Sequence, residues 1–145
     1  MPHASIHAVD VHASSATLYR AITTTAGLAS FWTTDSTAEP RVGSVAEFGF
    51  LGAPAKLKMR VESLEPDTRV IWKSLGPFRF WDGSSVTWSF SPVENGVTRV
   101  LFRHDQFGDG YPDPDFGSVN FTWGQIMARL KGFAESGTPQ PYFTA

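Results

Sequence analysis

His104 is the side chain whose type and position best fit chemistry. In the segment Val100-Leu101-Phe102-Arg103-His104 it shares the strand parity of Val100 and Phe102, so it joins them on one face, where an acidic stretch begins. An imidazole titrates near the physiological range, at about 6.5, so at that place it could move a proton or donate to a ligand carbonyl. The simpler reading is a hydrogen-bonded histidine at a strand end, partnered by Asp105 or the following loop. Asp82 is a weaker candidate for a polar rim, because an Asp before Gly83 is above all a turn former. The stretch from Asp105 to Ser118 concentrates Asp105, Asp109, Asp113 and Asp115 without a Lys or Arg. Calcium needs about six or more oxygens at a defined spacing, and this run lacks both the spacing and the closing Glu. A lid fits better: Gly108 and Gly110 give flexibility, and Phe107, Tyr111 and Phe116 supply rings to fold over a pocket mouth. His3, His7 and His12 do not form a metal set, since a strand turns His7 and His12 to opposite faces and no carboxylate stands at ligand spacing. No metal and no cofactor are expected.

Other chemistries fall away on composition. The chain has no Cys, which removes disulfides, thiolate metal sites and thiol nucleophiles together. It has no G-x-S-x-G elbow, no phosphate loop and no dinucleotide fingerprint. A net charge of -2, with no run among the 12 basic residues, argues against a nucleic-acid surface. No apolar run approaches the roughly 20 residues of a membrane helix, and the first residues lack the basic-then-apolar order of a secretory signal. A cytoplasmic location is the expectation.

The unusual feature is the rings: 12 Phe, 5 Trp and 3 Tyr in 145 residues. Each buries about 150–250 Å², so a small domain must either pack a bulky core with them or line a concavity. Their positions follow from the elements. Residues 5–12 read as a strand. Ser14 or Ser15 then caps a helix through Ala16, Leu18, Tyr19, Ala21 and Ile22, which the β-branched Thr23-Thr24-Thr25 run stops. A second short helix fits Ala26 to Trp32. From about Ser36 to Asp105 come about six strand-like segments of an antiparallel meander, with Asn95-Gly96 as the clearest hairpin turn. After the acidic loop, a long helix carries the stripe Val119, Trp123, Ile126, Met127, Leu130, Phe133 and Ala134 and stops at Gly137. Strand parity turns Phe48, Phe50, Met59, Trp72, Trp88, Phe90 and Phe102 inward, toward Trp123 on the helix. With Trp81, Met127 and His104 these form the candidate ligand-binding set. The expected fold is α+β, a curved antiparallel sheet wrapped around one C-terminal helix, as a single domain over residues 1–145.

The order of elements, the Ser-capped helix leading to Phe31-Trp32, the passage Leu64-Glu65-Pro66-Asp67-Thr68-Arg69-Val70-Ile71-Trp72, the strand from Thr98 to His104 and the closing helix from Trp123 to Gly137 resemble the START-like (SRPBCC, birch-pollen-allergen-like) helix-grip superfamily. Within it, the chain is most similar to the branch named after the activator of heat-shock chaperone ATPase. The resemblance implies a deep cavity between sheet and helix, used across the superfamily for apolar molecules. Some members are cyclases or dehydratases, others only bind ligands, and a few bind chaperones.

The leading expectation is therefore a protein that binds a small hydrophobic or aromatic molecule. A cyclase, dehydratase or isomerase using His104 is the alternative, and would need a further polar group beside it. A chaperone-associated module is disfavoured, because Arg60, Glu62, Arg69, Lys73, Arg99 and Arg103 read as a mixed, solvated outer face. A homodimer stays open.

Overall fold

The computed structural model describes residues 2–144. Strand β1 (Ser5–Val11) is followed by helices α1 (Ser15–Thr23) and α2 (Thr25–Phe31). Six strands come next: β2 (Asp35–Thr37), β3 (Val45–Gly49), β4 (Leu57–Glu65), β5 (Arg69–Gly76), β6 (Ser85–Glu94) and β7 (Val97–Asp105). Helix α3 (Asp113–Ser136) closes the chain. All seven strands form one antiparallel sheet in the order β1-β7-β6-β5-β4-β3-β2, a half-barrel that grips α3. Among the described residues, no helix is long and apolar enough to cross a membrane.

Local chemistry explains the boundaries. The Ser14 hydroxyl accepts from the Thr17 amide and starts α1. At its end, Thr23 and Thr24 turn their hydroxyls back onto the carbonyls of Tyr19 and Arg20, and Thr24 also caps α2 by accepting from the Gly27 amide. Gly27 is there for contact: a Cβ would sit 2.4 Å from the Ala21 carbonyl oxygen, so α1 and α2 meet backbone to backbone. The Asn95-Gly96 turn joins β6 and β7, with the positive φ taken by Gly96 alone (77°). Gly137, at φ 76°, ends α3 with its amide on the Phe133 carbonyl.

One boundary departs from the sequence reading. Helix α3 begins at Asp113, well inside the stretch expected to be loop through Ser118. Pro112 at the cap and Pro114 in the first turn fit a helix start, where amides have no intrahelical partner, and Asp113 and Asp115 oppose the positive end of the helix dipole. Charges and prolines that look like loop signals are here a helix N-terminus.

The concave face is built in cross-strand rows. Val61, Trp72, Val86, His104 and Ser5 are successive partners across five strands, and Val70, Trp88, Phe102 and His7 form the next row. Helix α3 lies across them with Trp123, Ile126, Met127 and Leu130 buried. It is anchored to β1 where the Ser5 hydroxyl donates to Asn120 Oδ1 at 2.6 Å, and it rides close above that strand at Gly124, where a Cβ would stand 3.2 Å from the His7 ring.

Candidate functional site

The rings at the centre of the grip touch one another. Trp72 and Trp88 lie 5.8 Å apart between centroids, Trp88 and Phe102 4.8 Å, and Phe102 and Trp123 4.4 Å, mostly tilted or edge to face. Phe48, Met59, Phe90 and Met127 are buried in the same cluster. The middle of the sheet is therefore filled.

The open space lies to one side, toward the N-terminal half of α3. A cavity of about 520 Å³, open to solvent at its mouth, is bounded there by segments distant in sequence. Helix α3 contributes Asp115, Ser118, Val119, Thr122, Trp123 and Ile126, spaced three and four apart so that they share one face. Facing them are the turn between β5 and β6 (Phe78, Arg79, Phe80, Trp81), Trp32 just after α2, Phe50 just after β3, and Phe143 of the C-terminal tail. Gly110, Tyr111 and Pro112, leading into α3, complete the wall. A volume of this size falls within the roughly 300–1,000 Å³ of small-molecule pockets.

Of the residues nominated from sequence, Phe50, Trp81 and Trp123 stand on the cavity wall. Phe48, Met59, Trp72, Trp88, Phe90, Phe102, His104 and Met127 pack in the core and are not on that wall. Sequence reasoning passed over Trp32, Phe78, Phe80 and Phe143 as wall residues. The aromatic run from Phe78 to Trp81 was visible as composition, but it follows no period that would aim it. Phe143 is brought in by a bridge to Thr33, with its amide on the Trp32 carbonyl at 2.8 Å.

His104 is completely buried. The Trp123 indole N–H donates to its Nδ1 at 3.1 Å, and its Nε2 lies 2.9 Å from Ser84 Oγ. An indole nitrogen can only donate, so Nδ1 is the acceptor and the neutral ring carries its proton on Nε2, donating to Ser84. Burial lowers its pKa from 6.5 to about 3, so the ring is uncharged at neutral pH. The edge of Trp81 and the ring of Phe107 close over it, at 4.6 and 4.2 Å.

The acidic stretch does not gather its carboxylates. Asp105 pairs with Arg103, and Asp113 with His3. What it gathers is rings: Phe107, Tyr111 and Phe116 pack together, and the His3 ring stacks on Phe116 at 4.3 Å while its Nε2 reaches the Tyr111 carbonyl at 3.0 Å. Phe80 sits opposite with φ at 70°, a conformation that costs a bulky residue about 1–3 kcal/mol. It is held by stacking on Tyr111 at 4.8 Å, by the Gly108 amide on its carbonyl, and by the Arg79 guanidinium over its ring.

These features define a class, an α+β helix-grip protein with a ring-walled cavity between its closing helix and the edge of its sheet. The chain belongs to the family described as activator of Hsp90 ATPase homolog 1-like proteins, whose model matches residues 12–135. The Aha1 dimer from Colwellia psychrerythraea is 30% identical and superposes with a TM-score of 0.81 over 93% of this chain and 98% of that one. A Staphylococcus saprophyticus protein, 18% identical, gives 0.78 over 98% of each chain. DynU16, from the dynemicin biosynthetic locus, is 20% identical and gives 0.77 over 98% of this chain and 51% of its own. The last two show likeness of fold alone. No curated protein matches the sequence.

Proposed function

We propose that this protein binds a small apolar or aromatic molecule in the cavity beneath the N-terminal half of α3. The observation that carries the reading is a cavity of about 520 Å³ walled by rings directly beside a core packed without it. Burial of ligand surface at about 25 cal/mol per Å² gives such a site useful affinity without a charged anchor. The fold supports the reading, since START-like proteins typically bind hydrophobic ligands. In this reading His104 does not move protons: it lies off the cavity wall, both its nitrogens are engaged, and it serves to hold the Trp123 indole in place. A cytoplasmic location goes with the same proposal.

The test is to plug the cavity. Thr122→Trp places a large ring into it from the helix face and touches no core contact named above. The variant should lose binding of Nile red, and of any small molecule retained in native mass spectrometry, with its melting temperature nearly unchanged. Dye binding undiminished in this variant would place the ligand elsewhere and sink the proposal.

A second reading, self-association, draws on the 30%-identical relative solved as a dimer. Ile6 and Leu101, exposed on the outer face of neighbouring strands, offer apolar surface for it.

A further inference from the structure

The geometry points to an uncharged planar ring system bearing a hydrogen-bond-accepting oxygen as the ligand class of this cavity, with the Tyr111 hydroxyl as the donor that holds that oxygen. This rests on the ligand-binding reading above and specifies it.

The walls set the shape. Trp32, Trp81 and Trp123 present indoles, with Trp81 and Trp123 nearly parallel at 18° and 6.4 Å, and Phe50, Phe78 and Phe143 add further flat faces. Flat walls make their best contact with a flat molecule, through offset or edge-to-face ring pairs.

The polar groups set the chemistry. Trp81 Nε1 donates to the Tyr111 hydroxyl oxygen at 3.1 Å, and both residues line the cavity. Since the indole accepts nothing, the Tyr111 O–H must point elsewhere, and among the described residues no acceptor receives it. The Tyr111 side chain is 9% exposed and its hydroxyl stands on the cavity wall, so a ligand oxygen in the cavity can accept its proton. Burial and the nearby Asp115 charge outweigh the Trp81 hydrogen bond and raise the Tyr111 pKa, which keeps the phenol a donor. Of the two other hydroxyls on the wall, Thr122 donates to the Ser118 carbonyl at 2.9 Å, and Ser118 sits exposed at the rim, in water. Charge is balanced around the mouth, where Arg79 contributes one cation and Asp115 one anion. A carboxylate drawn to Arg79 would meet Asp115 on the same wall, whereas a ketone or quinone oxygen meets no such opposition.

Matched probes test this: fluorene, 9-fluorenone and fluorene-2-carboxylate, titrated against the fluorescence of Trp32, Trp81 and Trp123. The wild-type protein should bind fluorenone roughly 3- to 10-fold more tightly than fluorene, the range of one neutral hydrogen bond. Tyr111→Phe should abolish that preference, bringing the ratio of fluorenone to fluorene affinity to about one. In the wild-type complex the ketone stretch of fluorenone should move to lower frequency, a measurement that needs no variant. Equal wild-type affinities, or a preference that survives in Tyr111→Phe, would overturn the assignment while leaving apolar binding intact. Tighter binding of the carboxylate than of the ketone would overturn the uncharged class. If none of the three bound, the ligand-binding reading itself would fall with it.

Discussion

Acid should destabilise this protein through His104, and the size of the effect follows from its burial. The ring is fully enclosed by Trp81, Trp123 and Phe107, its partners are the uncharged Ser84 and Trp123, and desolvation alone lowers its pKa to about 3. In the unfolded chain the same group titrates at about 6.5. Between those values the unfolded state takes up a proton that the folded state refuses, so stability rises with pH across the window. The contribution is fully present above about pH 6.5 and is lost as the pH falls toward 3. At pH 5 the loss from this one site is about 2 kcal/mol, on the way to a ceiling of roughly 5 kcal/mol below pH 3. The perturbation that isolates it is His104→Gln, which keeps a donor and an acceptor but cannot titrate. Urea unfolding followed by tryptophan fluorescence at pH 7, 6 and 5 should show the wild type losing about 2 kcal/mol more than the variant from pH 7 to 5. Every other ionisable group is common to both proteins and cancels in the difference. Parallel pH profiles would refute the reasoning, because they would mean that His104 either binds its proton in the folded state or is not enclosed as described.

Two further outcomes test the frame around the site. Gly27→Ala should destabilise by about 2–4 kcal/mol in chemical denaturation, because the new methyl would overlap the Ala21 backbone and force α1 and α2 apart. Gln106→Gly should stabilise by about 0.5–1 kcal/mol, seen as a melting temperature higher by ~2–4 °C, since the exposed Gln106 holds φ at 63° where glycine fits without strain.

The succession of elements along the chain and the parity of the strands were legible in the sequence because each depends on near neighbours, whereas the pairing of β1 with β7 joins residues far apart in the chain. Val86, Trp88 and Phe90 alternate with Thr87, Ser89 and Ser91, and the buried positions of β6 follow that alternation. Ser14, the threonine run, Gly96 and Gly137 marked their boundaries through caps and turns that act within a few residues. The start of α3 was not legible. Aspartate and proline favour both loops and the first turn of a helix, and only the packing of Val119 and Phe116 against the core decides between the two.

The sequence by itself determined an α+β fold with an antiparallel sheet curled around one long helix, an aromatic interior and the inward face of strands β3 to β7, since periodicity states which side of an element is apolar. It could not say where the rings stop meeting. That depends on five stretches far apart in the chain, around Trp32, Phe50, Phe78 to Trp81, Gly110 to Ile126, and Phe143, whose distances exist only once the sheet has curled around α3. Tertiary structure therefore filled the centre with Trp72, Trp88 and Phe102 and moved the cavity toward the mouth. It also gave His104 a different setting from the one its parity suggested: the strand turned it inward, as periodicity requires, but the neighbours it met there were two indoles, the Phe107 ring and a serine, and burial among them keeps it neutral.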